Sequence, residues 1–255
     1  MSLPRFLPPF FGSLLRLLLP PCCPFCEALL EDQAGFSSGF CAVCRESFRS
    51  PASPCCPRCC LPYPTQGGTD HLCEPCQRRE PPFCWVAAAA LYEGELREAV
   101  HRFKFGGRLD LDRPLGRLML ERLGERLRAF APQAVVAVPL HPRRLRERGY
   151  NQALLLARVL GKELGVAVPS AGLVRSRETQ SQQRLSRDER WRNLQGIFVA
   201  GAGIAGRRIL LVDDVVTTGA TAAECARSLL AAGAASVAVA ALARAPRHGR
   251  PVIQA

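Results

Sequence analysis

The sequence predicts an α/β protein in which a small cysteine-rich module precedes a mostly parallel sheet with helices on both faces. Twelve of the thirteen cysteines lie between Cys22 and Cys84. From Ala134 onward, short apolar strands alternate with helical patterns, which is typical of parallel α/β sheets. We therefore place the module in residues 1–84 and the larger domain in residues 85–255. The larger domain divides into a substrate-facing hood (85–130), a core (131–243) and a tail (244–255).

Hydrophobic periodicity predicts the individual elements. Strands are expected at residues 86–92, 134–138, 209–212 and 237–242. Helices are expected at residues 151–164 and 221–232, each followed by a glycine that can end it. Two further amphipathic patterns predict helices in the hood, one through Leu96, Val100 and Phe103 and the other through Leu115, Leu118 and Leu123. The tail from Arg244 is expected to be loose.

The formal net charge of +12 comes almost wholly from arginine. Such an excess suits phosphate-bearing ligands, either small molecules or nucleic acid. No stretch approaches the ~20 apolar residues of a membrane span. The apolar run at 14–19 is interrupted by Arg16 and closed by Pro20, which predicts a docking helix rather than a signal peptide. We expect a cytoplasmic protein.

Four C-x-x-C pairs form a repeated pattern, with the second two pairs following the first two at an offset of 33 or 32 residues. Two such turns can supply a tetrahedral Cys₄ site, so the pattern predicts two structural Zn²⁺ ions. The expected ligands are Cys23, Cys26, Cys41 and Cys44 for one ion, and Cys56, Cys59, Cys73 and Cys76 for the other. Free or disulfide-bonded cysteines are the alternative.

The sequence alone leaves open which cysteines are the zinc ligands and how they pair. Cys22, Cys55 and Cys60 adjoin the expected ligands, a cross-braced arrangement is conceivable, and His71 could replace Cys73. Glu27 and Cys60 also stand where zinc knuckles commonly carry glycine. Cys84 and Cys225 are interpreted as buried apolar residues.

The segment 209–221 has the pattern of a sugar-phosphate site. An apolar strand delivers Asp213 and Asp214 to its carboxyl end, where ligands collect in open α/β sheets. Small and hydroxylated residues follow and open a helix, so backbone N–H groups and the helix dipole can hold a phosphate. The two carboxylates can accept hydrogen bonds from a ribose diol. The alternatives are an acidic helix cap or a metal-binding carboxylate pair.

This segment resembles the phosphoribosyl pyrophosphate (PRPP) motif of type I phosphoribosyltransferases. The resemblance implies that Asp213 and Asp214 bind the ribose hydroxyls and take part in catalysis. It also implies that the 5-phosphate lies in a cradle formed by Val216, Thr217, Thr218, Gly219, Ala220 and Thr221. Mg²⁺ in this family is held largely by PRPP itself.

Two upstream segments suit the rest of such a ligand. The arginine-rich, Pro-flanked loop at 138–152 is a candidate pyrophosphate site, because guanidinium groups match phosphate oxygens. Its candidate contacts are Leu140, His141, Arg143 and Arg144, together with Lys104. The polar segment 179–193 is a candidate flap carrying the catalytic candidates Arg187 and Arg190. A surface helix is the alternative for this segment.

The whole arrangement resembles the ComF family, which is associated with natural competence. The resemblance rests on the cysteine module, Tyr92-Glu93-Gly94, Pro139-Leu140-His141-Pro142, Arg148-Gly149-Tyr150-Asn151-Gln152 and the PRPP motif. It implies a PRPP-binding protein that could transfer phosphoribosyl to a nitrogen acceptor. The alternative is a non-catalytic PRPP-binding competence protein that handles single-stranded DNA with the competence machinery. The oligomeric state stays open, and a dimer is plausible.

Overall fold

The computed structural model describes residues 20–30, 38–65, 67–176 and 196–246. The expected docking helix at 14–19 lies outside them. Within the described part of the module, the helices are α1 (Ala42–Ser47) and α2 (Glu74–Arg78). The larger domain then runs β1 (Val86–Leu91), α3 (Gly94–Phe105), α4 (Asp112–Phe130), β2 (Ala134–Ala137), α5 (Pro142–Arg148), α6 (Gln152–Leu164), β3 (Leu173–Arg175), β4 (Phe198–Ala200), β5 (Arg208–Val216), α7 (Ala220–Ala231) and β6 (Ser236–Arg244).

The main sheet has four strands in the order β1-β6-β5-β2, and all three pairings are parallel. The two central strands, β5 and β6, are the longest at nine residues each. The smaller strands β3 and β4 form an antiparallel pair elsewhere. The parallel sheet predicted from alternating strand and helix patterns is confirmed.

Helices cover both faces of the sheet, as expected from strands that read as continuous apolar runs. On one face, side chains such as Leu210 and Val212 of β5 share a buried cluster with α3, α4 and α6. On the other face, Ile209 and Leu211 pack with α7 and the β3–β4 pair. The sheet is thus enclosed in a three-layer arrangement, which leaves the carboxyl ends of its strands for ligands.

Two strands extend further than their sequence patterns indicate. β5 continues through both aspartates to Val216, because β6 runs beside it as far as Arg244. The expectation that the loose tail starts at Arg244 is therefore wrong for that residue, which ends β6 and is 2% exposed. Residues 247–255 of the tail lie outside the described part.

A third difference is that α5 occupies the segment that we expected to be a loop. Pro142 can begin a helix because its missing N–H is one that a first turn leaves unpaired anyway. His141 caps this helix by accepting a hydrogen bond from the Arg143 N–H at 3.2 Å. Gly149 ends the helix with a φ of 78°.

The cysteine module packs directly onto the larger domain. Phe40 and Phe48 are fully or almost fully buried in the same cluster as Leu96 of α3 and Leu118 of α4. Cys225 is buried as expected, whereas Cys84 is exposed, so its interpretation as a buried residue is wrong.

Backbone contacts from the module also cover the edge strand β1. The N–H of Val86 donates to the Arg58 carbonyl at 2.8 Å, and the N–H of Leu91 donates to the Arg49 carbonyl at 2.7 Å. The Arg122 guanidinium of α4 donates to the Ala89 carbonyl at 3.0 Å. Within the described residues, no helix combines the length and the apolar character that crossing a membrane requires.

Candidate functional site

The loop between β5 and α7 has the geometry of a small anion cradle. Thr217 is exposed, Thr218 and Gly219 are half-buried, and Gly219 adopts a φ of 80° immediately before the helix begins. Thr218 Oγ1 accepts a hydrogen bond from the Ala220 N–H at 3.3 Å. A side chain at position 219 would be strained at this φ, which explains the glycine.

The backbone donors of this loop are available to a ligand. Among the described residues, none accepts a hydrogen bond from the N–H groups of Thr217, Thr218 or Gly219. The loop lies at the N-terminus of α7, where the helix dipole favours negative charge. Consecutive N–H groups in such a position bind phosphate in many α/β proteins.

The two aspartates have different environments at the end of β5. Asp214 pairs with the Lys104 ammonium at 3.0 Å, and both side chains are more than four-fifths buried. Asp213 accepts a hydrogen bond from the Asp214 N–H at 2.9 Å. Burial, together with the negative charge of Asp214, raises the pKa of Asp213 from its ordinary 3.8 to about 7, although Lys104 opposes this shift. The pair therefore changes its charge near neutral pH.

A cavity of about 440 Å³ adjoins this ion pair through Lys104. Its lining combines cationic, aromatic and glycine residues with one carboxylate: Lys104, Phe105, Gly107, Arg144, Glu147, Arg148 and Tyr150. The Arg148 guanidinium lies over the Phe105 ring at 4.5 Å from its centroid. Burial lowers the pKa of Arg148, while the negative charge of Asp214 opposes that shift. The cavity suits an anion next to the carboxylate pair.

The candidate pyrophosphate residues separate into two groups in the structure. Lys104 and Arg144 line the cavity. Arg143 instead forms an exposed ion pair with Glu147 at 3.0 Å, and His141 serves as the helix cap. Leu140 is half-buried just before the cap. Arg187 and Arg190 lie outside the described residues, as does the rest of the candidate flap from 179 to 193.

The segment Arg148 to Gln152 fastens α6 to α3 beside Lys104, which sequence reasoning did not anticipate. The Tyr150 hydroxyl donates to the Phe103 carbonyl at 2.5 Å, and the buried Gln152 amide donates to the Lys104 carbonyl at 3.5 Å. Asn151 caps α6 and donates its side-chain N–H to the Val138 carbonyl at 3.0 Å. These contacts fix the Lys104 backbone relative to the strand ends.

Several cavity residues were not among the sequence candidates. Arg148 and Tyr150 belong to the segment quoted for the family resemblance, but they were not assigned to the site. The Gly106-Gly107 pair after α3 was a usable signal, because consecutive glycines often mark a backbone turn close to a ligand. Arg148 could not be distinguished by sequence from the neighbouring arginines.

The eight expected zinc ligands form two groups of four. In each group, the four sulfur atoms lie within 4.8 Å of one another. Cys26 and Cys41 are separated by 3.6 Å between sulfurs, as are Cys59 and Cys73. A tetrahedral site with Zn–S bonds of about 2.3 Å needs sulfurs about 3.8 Å apart, so both groups fit zinc.

The structure also decides the register and pairing that the sequence left open. Each half of the module supplies one complete site, so the sites are not cross-braced. His71 is exposed and stacks on Tyr63 with ring centroids 4.2 Å apart, outside the Cys₄ group. Glu27 and Cys60 have positive φ values of 64° and 55° at equivalent positions of the two knuckles. The hydrogen bond with Cys76 lowers the pKa of Cys59 to about 4, against burial, and the charge of Arg244 assists.

Known proteins resemble this chain at the level of a domain family, of solved structures and of curated relatives. The family described as "Phosphoribosyl transferase domain" matches residues 148–255. The purine phosphoribosyltransferase structure from Pyrococcus horikoshii Ot3 is 17% identical, with a TM-score of 0.32, and the match covers 54% of this chain and 91% of that one. A similarity at that TM-score supports no argument on its own.

Two curated relatives are more informative. The "DNA utilization protein YhgH" of Salmonella typhi is 38% identical over 204 residues, which cover 79% of this chain and 88% of the relative. "Competence protein F" of Haemophilus influenzae is 33% identical over 216 residues, covering 82% of this chain and 91% of the relative. Identity at this level over most of both chains, together with the two Cys₄ groups, confirms the family resemblance. The chain belongs to the ComF family and carries its phosphoribosyltransferase-like domain.

Proposed function

We propose that the chain binds PRPP with its 5-phosphate in the loop 216–221, its ribose diol on Asp213 and Asp214, and its pyrophosphate in the adjacent cavity. The observation that carries this proposal is the row of N–H groups at Thr217, Thr218 and Gly219, directly after the carboxylate pair, for which the described residues provide no acceptor. The three subsites follow one another in the same order as the groups of PRPP, in which the ribose diol lies between the 5-phosphate and the pyrophosphate.

Lys104 is the residue that connects the two parts of the site. It pairs with Asp214 and also lines the cavity. With PRPP present, a ribose hydroxyl can donate to Asp214 while the ammonium turns toward the pyrophosphate. Arg144 and Arg148 add positive charge at the same place, and charge-assisted contacts to phosphate oxygens are among the stronger hydrogen bonds. The Mg²⁺ expected with PRPP would bring further positive charge to the leaving group.

The reaction supported by this arrangement is displacement of pyrophosphate from C1 of the ribose by a nitrogen nucleophile. The bond from C1 to the pyrophosphate oxygen breaks, the bond from C1 to nitrogen forms, and the nucleophile loses a proton. Electrostatic stabilisation of the departing pyrophosphate is the main contribution that these side chains can make. Arg187 and Arg190 remain predicted catalytic residues, in the candidate flap.

A second candidate function is suggested by the names of the relatives, which refer to DNA utilization and competence. In this case the chain binds PRPP without turnover and handles single-stranded DNA during uptake. The exposed Phe105 beside Arg148 is compatible with base stacking, but it is one aromatic residue and not a platform.

The binding proposal is tested by calorimetric titration of ribose 5-phosphate and of PRPP with Mg²⁺ into zinc-loaded protein. Asp213→Asn/Asp214→Asn should abolish measurable PRPP binding. Thr217→Ala/Thr218→Ala should weaken it by roughly tenfold, the value of one or two lost hydrogen bonds. Glu163→Gln, an exposed carboxylate at the end of α6, is the control and should bind as wild type does. Unchanged affinity in the double threonine variant would place the cradle elsewhere.

Turnover separates the two functions. Pyrophosphate release from PRPP is measured with a panel of nucleobases and amines. Release that disappears in the double aspartate variant establishes a transferase. PRPP binding without release, combined with tight and salt-sensitive binding of single-stranded DNA, supports the competence function.

A further inference from the structure

The second zinc site contacts the phosphate loop through one buried side chain, Arg244. This residue ends β6, is 2% exposed, and lies between the knuckle Cys56–Cys59 and the end of β5. Its Nε donates to the Cys59 carbonyl at 2.9 Å, and its Nη2 lies 3.9 Å from the Cys59 sulfur. One guanidinium group thus touches both the backbone and the thiolate of a zinc ligand.

The other side of the same guanidinium holds the phosphate loop. Nη1 donates to the Val216 carbonyl at 3.0 Å, to the Ala245 carbonyl at 2.9 Å, and to the Thr217 carbonyl. In a trans peptide the N–H points opposite to the preceding carbonyl. Because Arg244 holds the carbonyls of Val216 and Thr217, the N–H groups of Thr217 and Thr218 point away from it. Those are two of the three donors assigned to the 5-phosphate.

The charge of Arg244 requires the zinc site. Among the described residues, no carboxylate pairs with this guanidinium, and an unpaired buried charge is costly. A zinc ion with four thiolates carries a net charge of about −2, and Cys59 is one of those thiolates. The zinc site therefore supplies the negative charge that lets a buried arginine remain under the loop.

We propose that Arg244 is a positioning residue that couples zinc binding at the second Cys₄ site to sugar-phosphate binding at the loop. This inference rests on the proposed function, because it takes the loop 216–221 as the phosphate cradle. Zinc fixes the position of Cys59, and the Cys59 carbonyl and sulfur fix the Arg244 guanidinium. Arg244 in turn orients the N–H donors of the loop by holding the carbonyls of Val216 and Thr217. Such coupling is reciprocal, so a bound sugar phosphate must also strengthen zinc retention at this site.

The first zinc site provides a matched comparison within the same chain. Its knuckle also presents carbonyls to arginines of the larger domain, since Arg108 donates to the Pro24 carbonyl at 2.7 Å and Arg102 donates to the Phe25 carbonyl at 3.1 Å. These contacts hold α3 and the turn after it, and they do not involve the phosphate loop. Zinc at the first site should therefore be insensitive to a ligand that fills the loop alone.

The experiment uses ribose 5-phosphate, which lacks the pyrophosphate group, and the zinc-loaded full chain. Zinc transfer to a chromogenic chelator is followed with and without the sugar phosphate. Alkylation and peptide mass spectrometry identify which four cysteines lose their metal. We expect ribose 5-phosphate to slow zinc loss from the Cys56 group and to leave the Cys23 group unaffected.

Arg244→Met should remove this protection and weaken ribose 5-phosphate binding by roughly tenfold or more, because hydrogen bonds to a charged group are lost beneath the cradle. Arg108→Met, the equivalent change at the first knuckle, should keep wild-type affinity and protection. With ribose 5-phosphate bound, hydrogen exchange at Thr217 and Thr218 should be faster in Arg244→Met than in wild-type protein, and unchanged in Arg108→Met.

Two results would overturn the coupling. One is wild-type protein that binds ribose 5-phosphate while zinc loss from both sites stays unchanged, a measurement that needs no variant to fold. The other is folded, zinc-loaded Arg244→Met with wild-type affinity. Wild-type protein that does not bind ribose 5-phosphate is a different result, because it contradicts the proposed function on which the coupling depends.

Discussion

Asp213 lies at a point where a carboxyl group can gain or lose its proton near neutral pH. Burial and the adjacent Asp214 charge raise its pKa to about 7, and Lys104, which pairs with Asp214, only partly compensates. The end of β5 thus holds two carboxyl groups against one ammonium. A ribose diol can donate hydrogen bonds to a pair of this kind, which is why the site is better matched to a sugar than to a bare cation.

The elevated pKa of Asp213 predicts a pH dependence of folding stability. The folded chain keeps the proton up to about pH 7, whereas the unfolded chain loses it near the ordinary value of 3.8. The folded state therefore binds more protons in this interval, and its free energy of unfolding falls as pH rises through it. We expect the Tm of zinc-loaded protein to drop between pH 5 and pH 7 and to show no further decrease from this group above that, measured by differential scanning fluorimetry.

Asp213→Asn is the control for this prediction, since an amide does not titrate. The variant should lose most of the Tm decrease over the same pH range while keeping its zinc. A decrease of equal size in both proteins would assign the pH dependence to other groups.

At the scale of residues, the sequence identified those site residues that lie next to one another along the chain. The aspartate pair, the threonines and Gly219 form one run, so their grouping required no knowledge of the fold. The link between Lys104 and Asp214 depends on how α3 lies against β5. No periodicity in the sequence encodes that relation. The C-x-x-C spacing predicted the eight zinc ligands, but only the geometry excludes Cys55 and Cys60, because they have the same chemistry as the ligands beside them.

At the scale of elements, α4 contains two glycines with opposite surroundings. A Cβ added at Gly116 would lie 2.6 Å from Val159 Cγ1 of α6, which is a close helix–helix approach. A Cβ at Gly124 would meet the end of the flexible Arg128 side chain at 3.2 Å. Gly116 is thus required by packing, whereas Gly124 carries the cost of glycine in a helix without a packing benefit.

These two sites predict opposite effects of the same substitution. Gly116→Ala should destabilise the chain by about 1–3 kcal/mol through overpacking. Gly124→Ala should stabilise it by up to about 1 kcal/mol through helix propensity. Urea unfolding of zinc-loaded protein measures both. Gly116→Ala/Val159→Ala should recover part of the loss, and two single variants of equal stability would refute the packing argument.

Sequence patterns located the main strands and helices, because each buries a continuous apolar run or stripe. They did not locate the ends of β5 and β6. These two strands stay hydrogen-bonded to each other beyond their apolar residues, so both are longer than the apolar runs. They also did not reveal α5, because its seven residues have no buried side chain to mark a face. The short β3–β4 pair was missed for a different reason, because three residues per strand give too little alternation to recognise.

At the scale of the whole molecule, the module is part of the main core and not an appended unit. Phe40 and Phe48 are buried against the helices of the larger domain, and the arginines at 102, 108, 122 and 244 donate to module carbonyls. The boundary near residue 84 remains a prediction that composition alone suggested. Part of the large arginine excess is used inside the protein, so fewer guanidinium groups can contact an outside ligand directly than the composition suggests.

Shared packing of this kind predicts one unfolding transition for the module and the larger domain together. Zinc-loaded protein purified under reducing, chelator-free conditions should contain about two zinc ions per chain by metal analysis. Chelation should lower the Tm of the entire chain, because metal binding is coupled to folding. Separate transitions for the two parts, or protein that folds without zinc, would contradict this expectation.

The cover over β1 has a consequence for cells short of metal. The strand Val86–Leu91 is uncharged, free of proline and mostly alanine. The N–H groups at its two ends donate hydrogen bonds to the carbonyls of Arg58 and Arg49 in the module. In a chain whose module has unfolded, this edge strand would have unpaired N–H and C=O groups, and such edges can pair with other copies of the chain and form aggregates. Metal supply would then govern the solubility of this protein as well as the shape of its ligand site.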